Sequence, residues 1–432
     1  MRATTRLLSE VSTTFTADQI DLNAIAGSDG MLFVRNGIGF ATRGIASRIA
    51  SRDAKEFIAN IQVDDSVNAP GSGPVLIGAI PFDSQEPHDF ILPKFLVCKS
   101  DDGRCWVTTI DANHVDETDN SAEIHSNLSQ VQTPNATSSS FTVVPGVDIE
   151  TYLEAVTAAR DAVRSGAITK AVIARDVLVT SSNPIDIYSV LLRLRNSFGS
   201  SYQFSVDGFI GASPELLVSI VNGQVSSHPL AGTAPRTGDP VTDAELATSL
   251  LSSAKNQIEH RIVIDAVHDT LLPWCSYLDW EPEASIVAVA NVQHLGTHMS
   301  GRLSEPFLHV LDAVYALSPT PALGGFPRDN ALQLIAHVEG MSRGRYGGAV
   351  GWFDNRGNGV WAVAIRCAEY SNNNMTARLF AGGGIVADSE PLLELAETQA
   401  KLQAMLAAII RHSAQCRYWS IGAGSRNSMR HS

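Results

Sequence analysis

The sequence predicts a mixed α/β (α+β) fold on three observations. Short apolar runs separated by turn clusters fill the first 110 or so residues, helical periodicity hands over to a strand soon after residue 148, and 44% apolar content in 432 residues can bury a large core. One big domain or two ordinary ones would satisfy that length. In order along the chain, Met31-Leu32-Phe33-Val34 and Val75-Leu76-Ile77-Gly78 read as strands, with the turn cluster Asn68-Ala69-Pro70-Gly71-Ser72-Gly73 before the second. Residues 111–140 are polar, Ser/Thr/Asn-rich and aperiodic, which predicts a long surface loop without a catalytic part. Residues 1–147 are thus expected to form a β-rich N-terminal part of the fold. Asp148 is placed to cap a helix in which Tyr152, Leu153, Val156, Ala159 and Val163 repeat at helical spacing, and Gly166 ends it. A strand is expected from Ile168 to Val179. Asn222-Gly223 between Leu216–Val221 and Gln224–Ser227 predicts a hairpin. Helices are expected over about 243–272, 304–317, 328–339 and 390–411, and the polar tail 412–432 is expected to fray.

Composition excludes several function classes. A formal charge of −14 disfavours nucleic acid and anionic membranes as partners, because both demand a basic surface, so attraction for an anionic substrate would have to be local. The five cysteines, Cys98, Cys105, Cys275, Cys367 and Cys416, form no C-x-x-C and are odd in number, which fits reduced thiols in a cytoplasmic protein. No zinc-ligand spacing occurs. No apolar run reaches the roughly 20 residues of a membrane helix, and no signal-peptide core is expected at the N-terminus, where Glu10 and Asp18 also argue against a transit peptide despite Arg2 and Arg6. Asn135-Ala136-Thr137 matches a glycosylation acceptor of the kind that arises by chance in a cytosolic chain.

The densest chemistry lies between Ala364 and Lys401. Gly382, Gly383 and Gly384 can adopt positive φ and bare their N–H groups to a ligand carboxylate. The helix that follows carries Glu394, Glu397 and Lys401 on one stripe, opened by cap-type residues Asp388-Ser389-Glu390-Pro391. A divalent cation would offset the repulsion of the two carboxylates; a solvated face with Lys401 paired to Glu397 is the alternative. Lys170 sits in the apolar run Ile168-Thr169-Lys170-Ala171-Val172-Ile173-Ala174. It is either an amine snorkelling out at a strand end or a desolvated base. Glu215 follows the strand break at Pro214, as an ordinary surface carboxylate or as a carboxyl kept protonated for general-acid work. Glu259 shares a helix face with Ile262, Val263 and Ala266, so a metal or a cationic partner is expected beside it. Arg366, in the strand-like run Val363–Cys367, can hold a carboxylate through two parallel hydrogen bonds, as can an arginine in a structural ion pair.

Together these pieces resemble the chorismate-utilising enzymes: isochorismate synthase, salicylate synthase and the synthase components for anthranilate and aminodeoxychorismate. The resemblance rests on Phe209-Ile210-Gly211-Ala212-Ser213-Pro214-Glu215, Pro229-Leu230-Ala231-Gly232-Thr233, Glu259-His260, Pro319-Thr320-Pro321-Ala322-Leu323-Gly324-Gly325, Tyr346-Gly347-Gly348-Ala349-Val350-Gly351-Trp352, Ile365-Arg366-Cys367-Ala368 and Ala381-Gly382-Gly383-Gly384-Ile385-Val386. It is dense and in order over the expected catalytic core, 148–411, and weaker before it. It implies a single large chorismate-binding domain with stacked β-sheets and outer helices, and a Mg²⁺-dependent site in a cleft. By the resemblance, Glu259 and Glu397 hold Mg²⁺ with Glu394 nearby, Arg366 and Tyr346 hold the enolpyruvyl carboxylate, and Gly382–Gly384 give N–H groups to a carboxylate with Lys401 close by. His294, otherwise an ordinary core histidine, would line the ring. A departure is Lys255-Asn256-Gln257, where many relatives carry Asp-Arg after the lysine.

Within this family the nucleophile decides the member. The ammonia-using branches lack a lysine at the Lys170 position, which isochorismate and salicylate synthases use to deprotonate water. The covalent lysine of the aminodeoxychorismate branch is replaced here by Ala231. Pro321-Ala322-Leu323 and Phe326-Pro327-Arg328 are similar to isochorismate synthases. The expectation is therefore an isochorismate synthase, an isomerase acting on chorismate without a glutamine amidotransferase subunit, in which Lys170 activates water at C2 and Glu215 protonates the departing C4 hydroxyl. Salicylate synthase, which adds pyruvate elimination, is the nearest alternative, and a non-catalytic chorismate-binding protein is the alternative of another class.

Overall fold

The computed structural model describes residues 1–111, 121–129, 133–134, 139–289 and 291–410. The expectations for the 412–432 tail, Cys416 and Asn135–Thr137 lie outside the described residues. Asp89–Lys99 joins two antiparallel layers: it pairs along its length with Ile38–Ala50 on one side, and with Cys105–Asp111 and Val75–Ile80 on the other. The first layer continues from Ile38–Ala50 through Leu32–Arg35, Tyr202–Val206, Phe209–Ser213, Cys367–Ser371 and Thr376–Ile385 to Lys170–Ser181. The second runs from Val75–Ile80 through Ala349–Asp354, Gly359–Val363 and Leu216–Val221 to the hairpin partner Gln224–His228. A separate three-stranded sheet is formed by Leu230–Pro235, Val292–Gly296 and Ser285–Val289.

Phe33, Phe40, Phe90 and Phe204 from the first layer and Trp352, Phe353 and Trp361 from the second are buried in one core. Edge-to-face contacts hold it, with Phe40–Trp352 at 4.8 Å and Phe90–Phe353 at 5.3 Å between ring centroids. The opposite side of the first layer is covered by helices Ile187–Ser197 and Pro391–Ile409, which bury Leu191, Leu194, Leu402 and Met405. Val310–Leu317 packs on the second layer, and Ala254–Leu271 runs against the small sheet.

The hairpin forms at Asn222-Gly223, both at positive φ (51° and 74°), as the two-residue turn requires. The single helix expected over 243–272 is two, Pro240–Ser252 and Ala254–Leu271. Ser253 makes the break, in extended conformation with its side chain accepting from Asn256 N–H, a local cap that apolar spacing does not register. The helix expected from 304 begins only at Val310. Inside the stretch expected to be a loop, Ser121–Leu128 is helical and buries Ile124 and Leu128. The four described cysteines are free thiols. Among the described residues no helix is long and apolar enough to cross a membrane.

Candidate active site

One end of the Lys170–Ser181 and Thr376–Ile385 strands, the small sheet and the starts of helices Ala254–Leu271 and Pro391–Ile409 enclose a cavity of about 270 Å³. Of the residues given a role at the site by the sequence reading, all but Gly383 line it: Lys170, Glu215, Glu259, His294, Ala322, Leu323, Tyr346, Arg366, Gly382, Gly384, Glu394, Glu397 and Lys401.

Lys170 is the first residue of its strand, yet it is 3% exposed, so the snorkelling alternative fails. Burial lowers its pKa, and the Glu259 carboxylate, 3.8 Å from Nζ, opposes that without reversing it. Glu215 occupies the gap between Phe209–Ser213 and Leu216–Val221 and is 2% exposed, which rules out the surface reading. Burial pushes its carboxyl up to about 8, against the pull of Leu230 N–H, which donates to Oε1 at 3.3 Å. One cavity therefore holds an amine biased towards neutrality and a carboxyl biased towards protonation.

The glycine run differs from expectation in mechanism. Gly382, Gly383 and Gly384 lie in regular strand, paired with Ala174, Ile173 and Val172, and are absent from the positive-φ residues. Glycine is needed for space instead. A Cβ on Gly384 would stand 2.8 Å from Lys170 Cε, one on Gly383 2.7 Å from Glu394 Oε2, and one on Gly382 3.1 Å from the Tyr346 hydroxyl. Arg366 is also corrected: it is not in a strand but in the break between Gly359–Val363 and Cys367–Ser371, at φ 52°. A left-handed arginine costs on the order of 1–2 kcal/mol, and here that backbone strain falls on a buried residue that lines the cavity. Its carbonyl accepts from Ala212 N–H at 3.0 Å, which pins the break to the neighbouring strand.

Arg366 Nη2 donates to His294 Nε2 at 3.1 Å, so that nitrogen must be unprotonated. The proton is on Nδ1, which donates to the Gly232 carbonyl at 3.0 Å. Burial, with Arg366 and Lys401 adding to it, lowers the His294 pKa to about 3 and keeps this tautomer neutral. The Tyr346 ring stacks on Phe380 at 5.2 Å, and burial pushes its hydroxyl well above the usual phenol range. Beneath the site lies a buried pair missed in the sequence. Arg343 bonds Glu339 and donates to the carbonyls of Val172 (2.6 Å) and Leu323 (2.8 Å), while Glu339 accepts from Ala174 N–H at 2.8 Å. Both residues lie past the end of helix Arg328–Val338, in a bend with Gly340 at φ 68°, so no helical spacing signalled the pair.

The acidic stripe faces the cavity, and the pairing offered as its alternative also forms: Lys401 Nζ is 2.7 Å from Glu397 and 2.8 Å from the Gly382 carbonyl. Burial raises the Glu394 pKa, with Glu397 adding to it, while Ser389 Oγ donates to Glu394 at 2.8 Å. For Glu397 burial acts upwards, but Lys401 and Arg366 outweigh it and the net shift is down. Among the described residues, no three histidine, cysteine or carboxylate side chains stand together as a ready metal cage. The donor set nevertheless fits a hard divalent cation: oxygens of Glu394, Glu397 and Glu259 border the Gly383–Gly384 patch, and each is offset by an ammonium or a hydroxyl that a cation could replace. Leu230 and Thr233, quoted only as part of a motif, and Lys255 and Asn256, noted only as a departure from the family pattern, also line the cavity.

A sequence profile of the family described as "Chorismate binding enzyme" matches residues 37–410. The isochorismate synthase DhbC of Bacillus subtilis is 34% identical over 349 residues, 78% of this chain and 81% of its own length. The isochorismate synthase EntC of Escherichia coli is 35% identical over 343 residues, 77% of this chain and 80% of its own. Among solved structures, MenF, the menaquinone-specific isochorismate synthase of Escherichia coli, superposes with a TM-score of 0.78 at 23% identity, covering 95% of this chain and 94% of its own.

Proposed function

The chain belongs to the chorismate-binding enzyme family, and from that premise we propose how its residues divide the work of an isochorismate synthase. The reaction is an isomerisation in which water adds at C2 of chorismate and the C4 hydroxyl leaves. Lys170, neutral when it acts, takes a proton from the attacking water, and Glu215 gives its proton to the departing hydroxyl, which leaves as water. The opposed pKa shifts of these two buried groups in one cavity carry the reading. In the reverse direction the same carboxylate accepts the proton.

Arg366 and Tyr346 hold the enolpyruvyl carboxylate, with Arg366 oriented by its bond to His294, which lines the ring. The second carboxylate sits on the Gly382–Gly384 strand beside Lys401, where the missing Cβ atoms leave room. Glu259 and Glu397, with Glu394, are the residues that would hold Mg²⁺; when bound it supplies charge neutralisation for the ring carboxylate. Ala322 and Leu323 give an apolar wall that keeps stray water from the ring. Positioning and electrostatics account for most of the acceleration. Because water is the nucleophile, no glutaminase subunit is called for, and the scattered cysteines fit a cytoplasmic enzyme.

The decisive experiment incubates the protein with chorismate and Mg²⁺ in ¹⁸O-labelled water. The expected product is isochorismate carrying one labelled oxygen at C2, with no salicylate and no pyruvate. Salicylate with pyruvate would mark a salicylate synthase, and absence of turnover would leave a binding protein.

A further inference from the structure

Lys255 has no part in the chemistry above, yet it lines the cavity one helical turn before Glu259. Its Nζ stands 4.0 Å from Glu259 Oε1, while Oε2 of the same carboxylate faces Lys170 at 3.8 Å. The charge of Lys255 also reaches Glu394 and Glu397. Three ammonium groups thus neighbour the carboxylates, and they differ in freedom. Lys170 is buried and walled in by the Gly384 strand, and Lys401 is tied to the Gly382 carbonyl at 2.8 Å. Lys255 has a side chain 51% exposed and a long ion pair, so it can swing into solvent at little cost.

We propose that Lys255 is the resident counter-cation of the carboxylate cluster, and that a divalent cation must displace it from Glu259, so that this lysine sets the metal affinity of the free enzyme. An ammonium and a divalent ion cannot share one face of a carboxylate, and their mutual repulsion adds to that competition. The consequence is a site kept charge-balanced when empty and made reluctant to take up metal alone. The proposal rests on Glu259, Glu394 and Glu397 being the residues that hold Mg²⁺, and its test separates the two.

Titration calorimetry of Mg²⁺ into chorismate-free protein compares the wild type with Lys255→Met, Lys255→Arg and Glu259→Gln, each checked by thermal melting. Lys255→Met is expected to bind Mg²⁺ roughly 3- to 10-fold more tightly than wild type, and added salt should narrow the gap. Lys255→Arg, which keeps the charge, should stay near wild type. Equal, weaker or undetectable binding by Lys255→Met overturns the proposal, as does equal tightening by Lys255→Arg. If Glu259→Gln binds Mg²⁺ as wild type does, the metal assignment itself has failed, whatever Lys255 shows.

Discussion

Lys170 and Glu215 are shifted in opposite directions for one physical reason, the removal of water from a charge, and that shared cause ties their titrations to turnover and to stability. In the proposed division of work the base must be neutral, so the rate is expected to fall as the pH drops and Lys170 takes up a proton. The proposed acid must be protonated, so the rate is also expected to fall as the pH rises past about 8, where Glu215 ionises. Lys170→Ala should lower kcat by roughly 10²- to 10⁴-fold with KM little changed, and its residual activity should lack the acid limb; steady-state pH profiles check both. Glu215→Gln should block loss of the C4 hydroxyl and so be inactive. Stability follows with a definite sign. A carboxyl raised in the fold from 4.5 to about 8 contributes fully below about pH 4.5 and loses that contribution as the pH rises through about 8. Glu215→Gln keeps an acceptor for Leu230 N–H and removes the penalty, so the inactive variant should be more stable than wild type at pH 7, by roughly 2–4 kcal/mol, and no more stable at pH 4. Denaturant melts at the two pH values decide this. Lys170 was legible only with the family resemblance, since the apolar strand alone left a snorkelling amine open. The left-handed backbone of Arg366 was not, since its neighbours Ala364, Ile365 and Cys367 are as apolar as those of a strand and the break is met only by a long-range bond from Ala212 N–H to its carbonyl.

The Thr376–Ile385 strand shows an element whose identity was legible and whose reason was not. Glycine promises conformational freedom, and the sequence reading assigned that role; in the fold these residues are plain ladder members whose lack of side chains lets Lys170, Tyr346 and Glu394 approach. Gly384→Ala therefore needs no backbone change. Its methyl would meet Lys170 Cε at 2.8 Å, the far part of a flexible chain, so the amine moves and the strand survives. The expected outcome is a loss of turnover of about 10-fold or more with a change in melting temperature of only a few degrees, read by kinetics and calorimetry on one preparation. A variant that unfolds outright would show that the glycines serve folding first. The stripe of Glu394, Glu397 and Lys401 was legible because i,i+3 and i,i+4 spacing fixes a helix face. The break at Ser253 was not, because a single serine closes one helix and caps the next without disturbing the apolar count.

For the molecule as a whole, the alternation of strands and helices after residue 148 could be read from periodicity, whereas the sharing of Asp89–Lys99 between two layers could not. That joint depends on pairings between strands far apart in sequence, such as Val75–Ile80 with Ala349–Asp354, which no local pattern encodes. The charge of −14 was legible, and the composition required any anion to be attracted locally. The cavity meets that requirement by balance rather than by excess. Lys170, Lys255, Arg366 and Lys401 stand among Glu215, Glu259, Glu394 and Glu397, so the empty site is neutral whether Lys170 and Glu215 are both charged or both neutral. A dianion entering alone, or a divalent cation entering alone, leaves two unbalanced charges in a partly desolvated space; the two together leave none. Mg²⁺ and chorismate should therefore bind with positive coupling, each tightening the other by the same factor, on the order of 10- to 100-fold. Calorimetry can measure this without turnover in Glu215→Gln, which keeps the carboxylates and ammonium groups around the metal position. Mg²⁺ titrated with and without chorismate should give the same ratio of dissociation constants as chorismate titrated with and without Mg²⁺. A ratio near one would mean that the balance of charges plays no part in binding.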